Sequence, residues 1–278
     1  MSRMTTDLHE AVIVIAREAG QAIMAVYEGT FDVQQKTDDS PLTAADMAAH
    51  QVITDGLRRL TPQWPVLSEE AADIPWETRR HWQRYWLVDP LDGTREFIKR
   101  NGEFTVNIAL IEQNEPIFGV VHAPVTGETW HARQGRNAYR RVGQVDTQIR
   151  TRSPATGALK VAASRSHRDA RTQAFLDAMG SIEEMSLGSS LKFCRIAEGA
   201  LDVYPRFGPT SEWDTAAAQC VLEAAGGALL APDGRAFRYN RRETLLNGDF
   251  VALGDMTLPW RTWLAQALGD EHGHARIA

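Results

Sequence analysis

The chain has 278 residues, near the upper limit for one hydrophobic core, so two lobes are expected. Hydrophobic residues make up 43% and charged residues 24%, the proportions of an ordinary soluble protein. A net charge of −6 disfavours nucleic-acid polymers as partners, and a small anionic substrate would need local cations. The two cysteines, Cys194 and Cys220, fit reduced thiols in the cytoplasm and make no metal-ligand cluster. The N-terminus carries no signal-peptide pattern, and no stretch approaches the roughly 20 apolar residues of a membrane span.

Leu8, Val12, Ile15, Ala19, Ile23 and Val26 recur at spacings of three and four. They predict an amphipathic helix begun near Thr5 and ended by Gly29. Residues 31–36 alternate like a strand, and 36–40 read as a polar turn. Ala45, Ala49, Val52, Ile53, Leu57 and Leu60 mark a second helix. Asp46, seven residues before Ile53, shares that helix's buried face. It also fits a capping box with Thr43, which is the plainer reading. A brief strand, Val66 to Ser68, delivers Glu69 and Glu70, for which solvation is the default. Residues 71–83 are polar and Trp-containing, expected as a loop or lid.

Tyr85 to Val88 reads as a buried strand running into Asp89-Pro90-Leu91-Asp92-Gly93-Thr94. Pro90 cannot donate to a ladder, so pairing is expected to stop there. Gly93 permits a backbone conformation closed to other residues, and a short helix is expected after it. Two acids aimed at one spot repel each other and lose water. An oxygen-only site of this kind suits Mg²⁺, although the same aspartates could simply cap a turn. Residues 104–141 read as an antiparallel meander. Residues 143–156 are polar and lack periodicity, and the lobe boundary is placed there, dividing the chain into 1–150 and 151–278.

Beyond the boundary, strands at 159–163, 182–187 and 201–204 alternate with helices at 169–179, 189–198 and 213–225. A helix at 257–268 closes the chain. Alternation of this kind predicts an α/β lobe after an α+β one. Asp214 stands at a helix start with Ser211 three residues before it, again a cap-like pattern.

The segments Lys36 to Asp46, Leu67 to Glu70, Trp86 to Thr94 and Trp213 to Ala218 together resemble the inositol monophosphatase superfamily. The D-P-L-D-G-T turn with a distant W-D-x-A is the specific part of that likeness. Thr94 to Ile98 and Asn101 to Ile108 look like its bacterial 3'(2'),5'-bisphosphate nucleotidase branch. Inositol phosphatases usually carry Asn-Phe where this chain has Glu96-Phe97. Ala218 departs from the family, which often has glycine there, and slightly tighter helix packing is expected.

The resemblance implies a layered α/β/α/β/α sandwich and a lithium-sensitive phosphatase using two or three Mg²⁺ ions. The first ion would be held by Glu69, Asp89 and the Leu91 carbonyl, and the second by Asp89, Asp92 and Asp214. Asp46 and Thr94 match the pair that orients and deprotonates the attacking water, with Glu69 also part of the catalytic set. Substrate contacts would come from Glu69, Leu91, Asp92, Gly93, Thr94, Ser164, His167, Gly188, Lys192 and Asp214, with Arg206 a further cation. Gly188 to Ser190 also reads as an ordinary helix cap and His167 as a surface turn residue.

The expected substrate is adenosine 3',5'-bisphosphate, hydrolysed to AMP and phosphate, with phosphoadenosine phosphosulfate as an alternative. The rivals are another sugar-phosphate specificity, such as inositol monophosphate or fructose 1,6-bisphosphate, and a non-catalytic cation- or nucleotide-binding module. By the same resemblance the protein would be cytoplasmic, with peripheral attachment at the inner face of the membrane an alternative, and a monomer or homodimer. It would clear a by-product of sulfate assimilation.

Overall fold

A computed structural model describes residues 6–29, 33–35, 41–163 and 169–268. Its first layer is a helix pair, α1 (Thr6–Tyr27) and α2 (Ala44–Leu60). A short hairpin of β1 (Val33–Gln35) and β2 (Pro41–Thr43) stands between them in the chain. The predicted apolar stripe is the buried one: Val12, Ala19 and Ile23 of α1 meet Ala45, Ala49, Ile53 and Leu57 of α2. These helices cover one face of a seven-stranded sheet.

That sheet runs in the order β3 (Val66–Ser68), β4 (Arg84–Asp92), β5 (Thr105–Glu112), β6 (Glu115–Ala123), β7 (Glu128–Arg133), β8 (Ala138–Val142) and β9 (Val145–Ile149). Only β3 and β4 pair in parallel. Side chains alternate across a strand, and β4 is apolar on both faces. Trp86 and Val88 pack towards α1 and α2, while Tyr85 and Leu87 enter a second core. The Trp86 indole also donates to Thr61 Oγ1 at 2.8 Å. Truncating so large a buried side chain would cost on the order of 3–5 kcal/mol.

The second sheet has the order β11 (Ile182–Ser186), β10 (Leu159–Ala163), β12 (Val203–Arg206), β14 (Phe250–Leu253) and β13 (Ala228–Leu230). The first three are parallel neighbours, and β14 reverses direction. Between the sheets lie α6 (Leu191–Ala197) and α7 (Glu212–Ala224), which share the central core with both. The far face of the second sheet is covered by α5 (Ala170–Met179) and α8 (Trp260–Leu268). The result is the five-layer α/β/α/β/α arrangement. The middle layer needs one close approach: a Cβ added at Gly119 of β6 would lie 2.2 Å from the Ala217 carbonyl of α7. Ala218, on the same helix, is 1% exposed.

Four expectations change. Pairing does not end at Pro90: a bulge separates Asp89 from Asp92, and Asp92 then pairs with Thr105. The proline removes one donor, and the chain detours around it. Residues 145–149 are a strand, β9, joined to β8 by a tight turn in which Gly143 has φ of 62°. Its side chains are mostly exposed, so it shows no apolar periodicity. The 71–83 stretch contains a helical turn, α3 (Trp76–Arg79), and is pinned rather than free. Arg79, 2% exposed, donates to Asn240 Oδ1 at 2.7 Å. Finally, β13 and β14 form a hairpin with a long excursion, which alternation alone did not predict. Among the described residues no helix is long and apolar enough to cross a membrane.

Candidate active site

The end of β4 sets the site. Asp89 Oδ1 accepts from the Leu91 amide at 3.1 Å, which folds the chain back over the bulge. Gly93 then takes φ of 94°, a left-handed conformation that a side chain would strain. This turn aims Asp92 back towards Asp89 and starts α4 (Thr94–Ile98). Asp214 arrives from the other half of the molecule, at the third position of α7. Its Oδ2 accepts from the Ser211 amide at 2.7 Å, so the helix cap and the acid cluster are the same residue. The two readings of Asp214 were never exclusive, because a carboxylate has two oxygens.

One oxygen from each of Asp89, Asp92 and Asp214 lies within 4.8 Å of the others. Asp89 is 1% exposed. Burial, and then the charges of Glu69, Asp92, Asp214 and Asp46, push its carboxyl well above the usual range. Burial and then Asp92 push Asp214 up as well, against the Ser211 hydrogen bond. Like charges gathered out of water are costly unless a cation joins them. All the donors are oxygens, and oxygens around one Mg²⁺ lie within about 4 Å of each other. The all-oxygen donor set therefore fits a hard divalent cation.

The cluster opens into a cavity of about 310 Å³ lined by Glu69, Asp89, Leu91, Asp92, Gly93, Thr94, Gly188, Lys192, Arg206 and Asp214, among others. Glu69 begins a single 3-10 turn directly after β3, beside β4. Asp46 is 2% exposed in the first turn of α2, near enough that its charge helps to raise Asp89. The hydroxyl of Thr94 donates to the Leu91 carbonyl at 3.4 Å. Ser164 and His167 lie outside the described residues.

Lys192 of α6 is a buried cation on the same cavity wall. It is 6% exposed, with Nζ donating to Ser189 O at 2.8 Å and Leu187 O at 3.2 Å. Burial lowers its pKa to about 8, against the opposing pull of Asp92. Arg206 Nε is buried and has no hydrogen-bond partner, a donor left unsatisfied at the cavity wall. The amides beside Lys192 have carboxylate acceptors: Gly188 N donates to Glu103 at 2.8 Å and Ser190 N to Asp92 at 2.7 Å. Ser189 and Ser190 were read from sequence only as part of a helix cap, and Thr105 and Asn107 were not singled out. Thr105 and Asn107 lie inside the 101–108 motif, but nothing in the motif gives them a partner.

The model of the inositol monophosphatase family matches residues 4–269. The chain belongs to the inositol monophosphatase family. Among similar proteins, the 3'(2'),5'-bisphosphate nucleotidase CysQ of Escherichia coli (strain K12) is 54% identical over 244 residues, 87% of this chain and 97% of the relative. The protein of the same name from Aggregatibacter actinomycetemcomitans is 38% identical over 262 residues, covering 94% and 97%. The crystal structure of CysQ from Bacteroides thetaiotaomicron superposes with a TM-score of 0.79 at 39% identity, covering 89% of this chain and 97% of that one.

Proposed function

We infer that this chain is a metal-dependent phosphatase, a 3'(2'),5'-bisphosphate nucleotidase that hydrolyses adenosine 3',5'-bisphosphate to AMP and phosphate. The observation that carries the reading is the convergence of Asp89, Asp92 and Asp214 on one point, in a chain 54% identical to a nucleotidase of that name. We propose Mg²⁺ as the cation, with Glu69, Asp89 and the Leu91 carbonyl holding one ion and Asp89, Asp92 and Asp214 a second. Bound there, divalent cations would supply Lewis-acid chemistry, favouring deprotonation of a water and offsetting charge on the leaving oxygen.

The remaining roles belong to the protein. Thr94 would orient the attacking water and Asp46 would take its proton, a hydroxyl backed by a carboxylate. Lys192 and Arg206 would offset the second phosphate, since bidentate or buried cations suit that charge. Gly93 and Gly188 are proposed to touch the substrate through their backbones; the space a Cβ at Gly188 would need is taken by the chain itself, 2.7 Å from Glu103 O. Ser164 and His167 are proposed to touch the nucleoside. On this reading residues 1–150 carry most of the metal ligands and the water-activating pair, and 151–278 carry substrate contacts and Asp214.

The test is phosphate release from adenosine 3',5'-bisphosphate, inositol monophosphate and fructose 1,6-bisphosphate, each with and without Mg²⁺. The bisphosphate nucleotide should be hydrolysed fastest and only with the ion. An equal or higher rate on inositol monophosphate would overturn the specificity, and no release from any of them would leave only a binding module.

A further inference from the structure

Asp92 has the most heavily built setting of the three clustered acids. Among the described residues its hydrogen bonds all fall on Oδ2, which accepts from Ser190 N at 2.7 Å, Ser190 Oγ at 2.8 Å, Ser189 Oγ at 3.0 Å and Asn107 Nδ2 at 3.2 Å. A carboxylate oxygen has two lone pairs, so these donors saturate it. The other oxygen is left to offer outward.

Ser190 also reaches the opposite wall. Its Oγ lies 2.7 Å from the backbone carbonyl of Asp214 and accepts from Asn107 Nδ2 at 3.0 Å. One hydroxyl proton cannot serve Asp92 and Asp214 at once, but the Ser190 amide holds Asp92 in either case. Ser190 is 1% exposed, and its side chain does not cap α6. The Asn107 amide is itself fixed by Thr105 Oγ1, which donates to Asn107 Oδ1 at 2.9 Å. Ser189, beside it, holds φ of 52° and is tied to Thr105 Oγ1 at 2.6 Å. A strained residue of this kind persists only where its surroundings over-determine it. Thus β4 and β5 of the seven-stranded sheet and α6 and α7 of the layer beneath it meet on one serine.

We propose that Ser190, oriented by Asn107, is the positioning residue that sets the spacing of Asp92 and Asp214, and with it the affinity of the centre for its divalent cation. The proposal rests on reading the acid cluster as a metal centre. Groups that orient metal ligands without touching the metal are commonly worth about 10–100-fold in affinity.

The experiment is calorimetric titration of Mg²⁺ into the substrate-free protein, with phosphate release followed in parallel across Mg²⁺ concentrations. Ser190→Ala should weaken Mg²⁺ binding by about 10–100-fold and raise the Mg²⁺ needed for half-maximal rate by a similar factor. The rate at saturating Mg²⁺ should change less. Asn107→Ala should shift both readouts in the same direction, and the double variant should fall short of the product of the two, because both act on one oxygen. If Ser190→Ala does not fold, Asn107→Ala decides. Ser190→Ala and Asn107→Ala proteins that bind Mg²⁺ like wild type, even with lowered melting temperatures, would overturn the proposal and leave a merely structural role. Wild-type protein that takes up no Mg²⁺ would overturn the metal-centre reading and this proposal together.

Discussion

Two groups of polar side chains are built into the same seven-stranded sheet and are treated in opposite ways. Under α1, at the β7–β9 end, His9, Glu10, His131, Arg141 and Asp146 form a closed network. Arg141 donates to Glu10 Oε2 at 2.7 Å and to Asp146 Oδ2 at 2.6 Å, and His131 bridges Asp146 and His9, each at 3.0 Å. The Arg141 hydrogen bonds hold the Asp146 carboxyl down to about 2. At the β4 end, burial and neighbouring acids push Asp89 the other way. Both are aspartates on the same sheet. One has its charge answered by an arginine; the other is buried among like charges.

The largest expected effect comes from cutting the unanswered group. Asp89→Asn should lower phosphate release on the order of a thousandfold, the scale on which one charge-stabilising group acts. The metal-free protein should melt no lower than wild type, because a like charge has been removed. A drop in melting temperature with activity retained would make the cluster a structural cap. Asp92→Asn should behave similarly in activity.

Lys192→Ala sharpens the same contrast. Losing a charged hydrogen-bond donor is worth about 1.5–3 kcal/mol, so KM for adenosine 3',5'-bisphosphate should rise on the order of tenfold or more. A minimal phosphate ester should be little affected. Equal loss on both substrates would put Lys192 in the chemistry or the fold.

In the answered group the signs reverse. Arg141→Ala should leave kcat unchanged while costing on the order of 3 kcal/mol of stability, less what solvent returns to half-exposed Glu10. Melting curves with parallel rate measurements check this, and a fall in rate matching that of Asp89→Asn would erase the distinction.

The last effect is in pH. Burial, and then the charge of His131, lowers His9 from 6.5 to about 4, with Arg133 and Arg141 adding to that and Glu10 opposing it. The unfolded chain therefore takes up this proton first, so the stability is complete above pH 6.5 and lost as pH falls towards 4. Asp146, held at about 2, adds a further loss as pH falls from its ordinary 3.8 through 2. His9→Gln should flatten the melting-temperature profile between pH 6.5 and 4, and an unchanged profile would show that His9 does not titrate on unfolding.

Much of this was legible because period and turn chemistry are local. The stripes of α1 and α2, the two faces of β4 and the left-handed Gly93 followed from residue spacing. The resemblance added which acids should converge: of Glu69, Asp89, Asp92 and Asp214, the three aspartates lie together, and Glu69 lines the same cavity. What stayed hidden depends on pairing across distance. The strand β9 is exposed and owes its form to β8, and Arg79 looked like a loop residue until Asn240 was placed beside it. Serine and asparagine have no periodic signature, so Ser190 and Asn107 gave no hint that their partner would be Asp92.

The most direct measurement of the central claim is a single protein sample carried through chelation and reloading while phosphate release from adenosine 3',5'-bisphosphate is followed. Release should vanish in EDTA and return with added Mg²⁺. A rate that is indifferent to chelation would contradict the claim that the acid cluster works through a bound divalent cation.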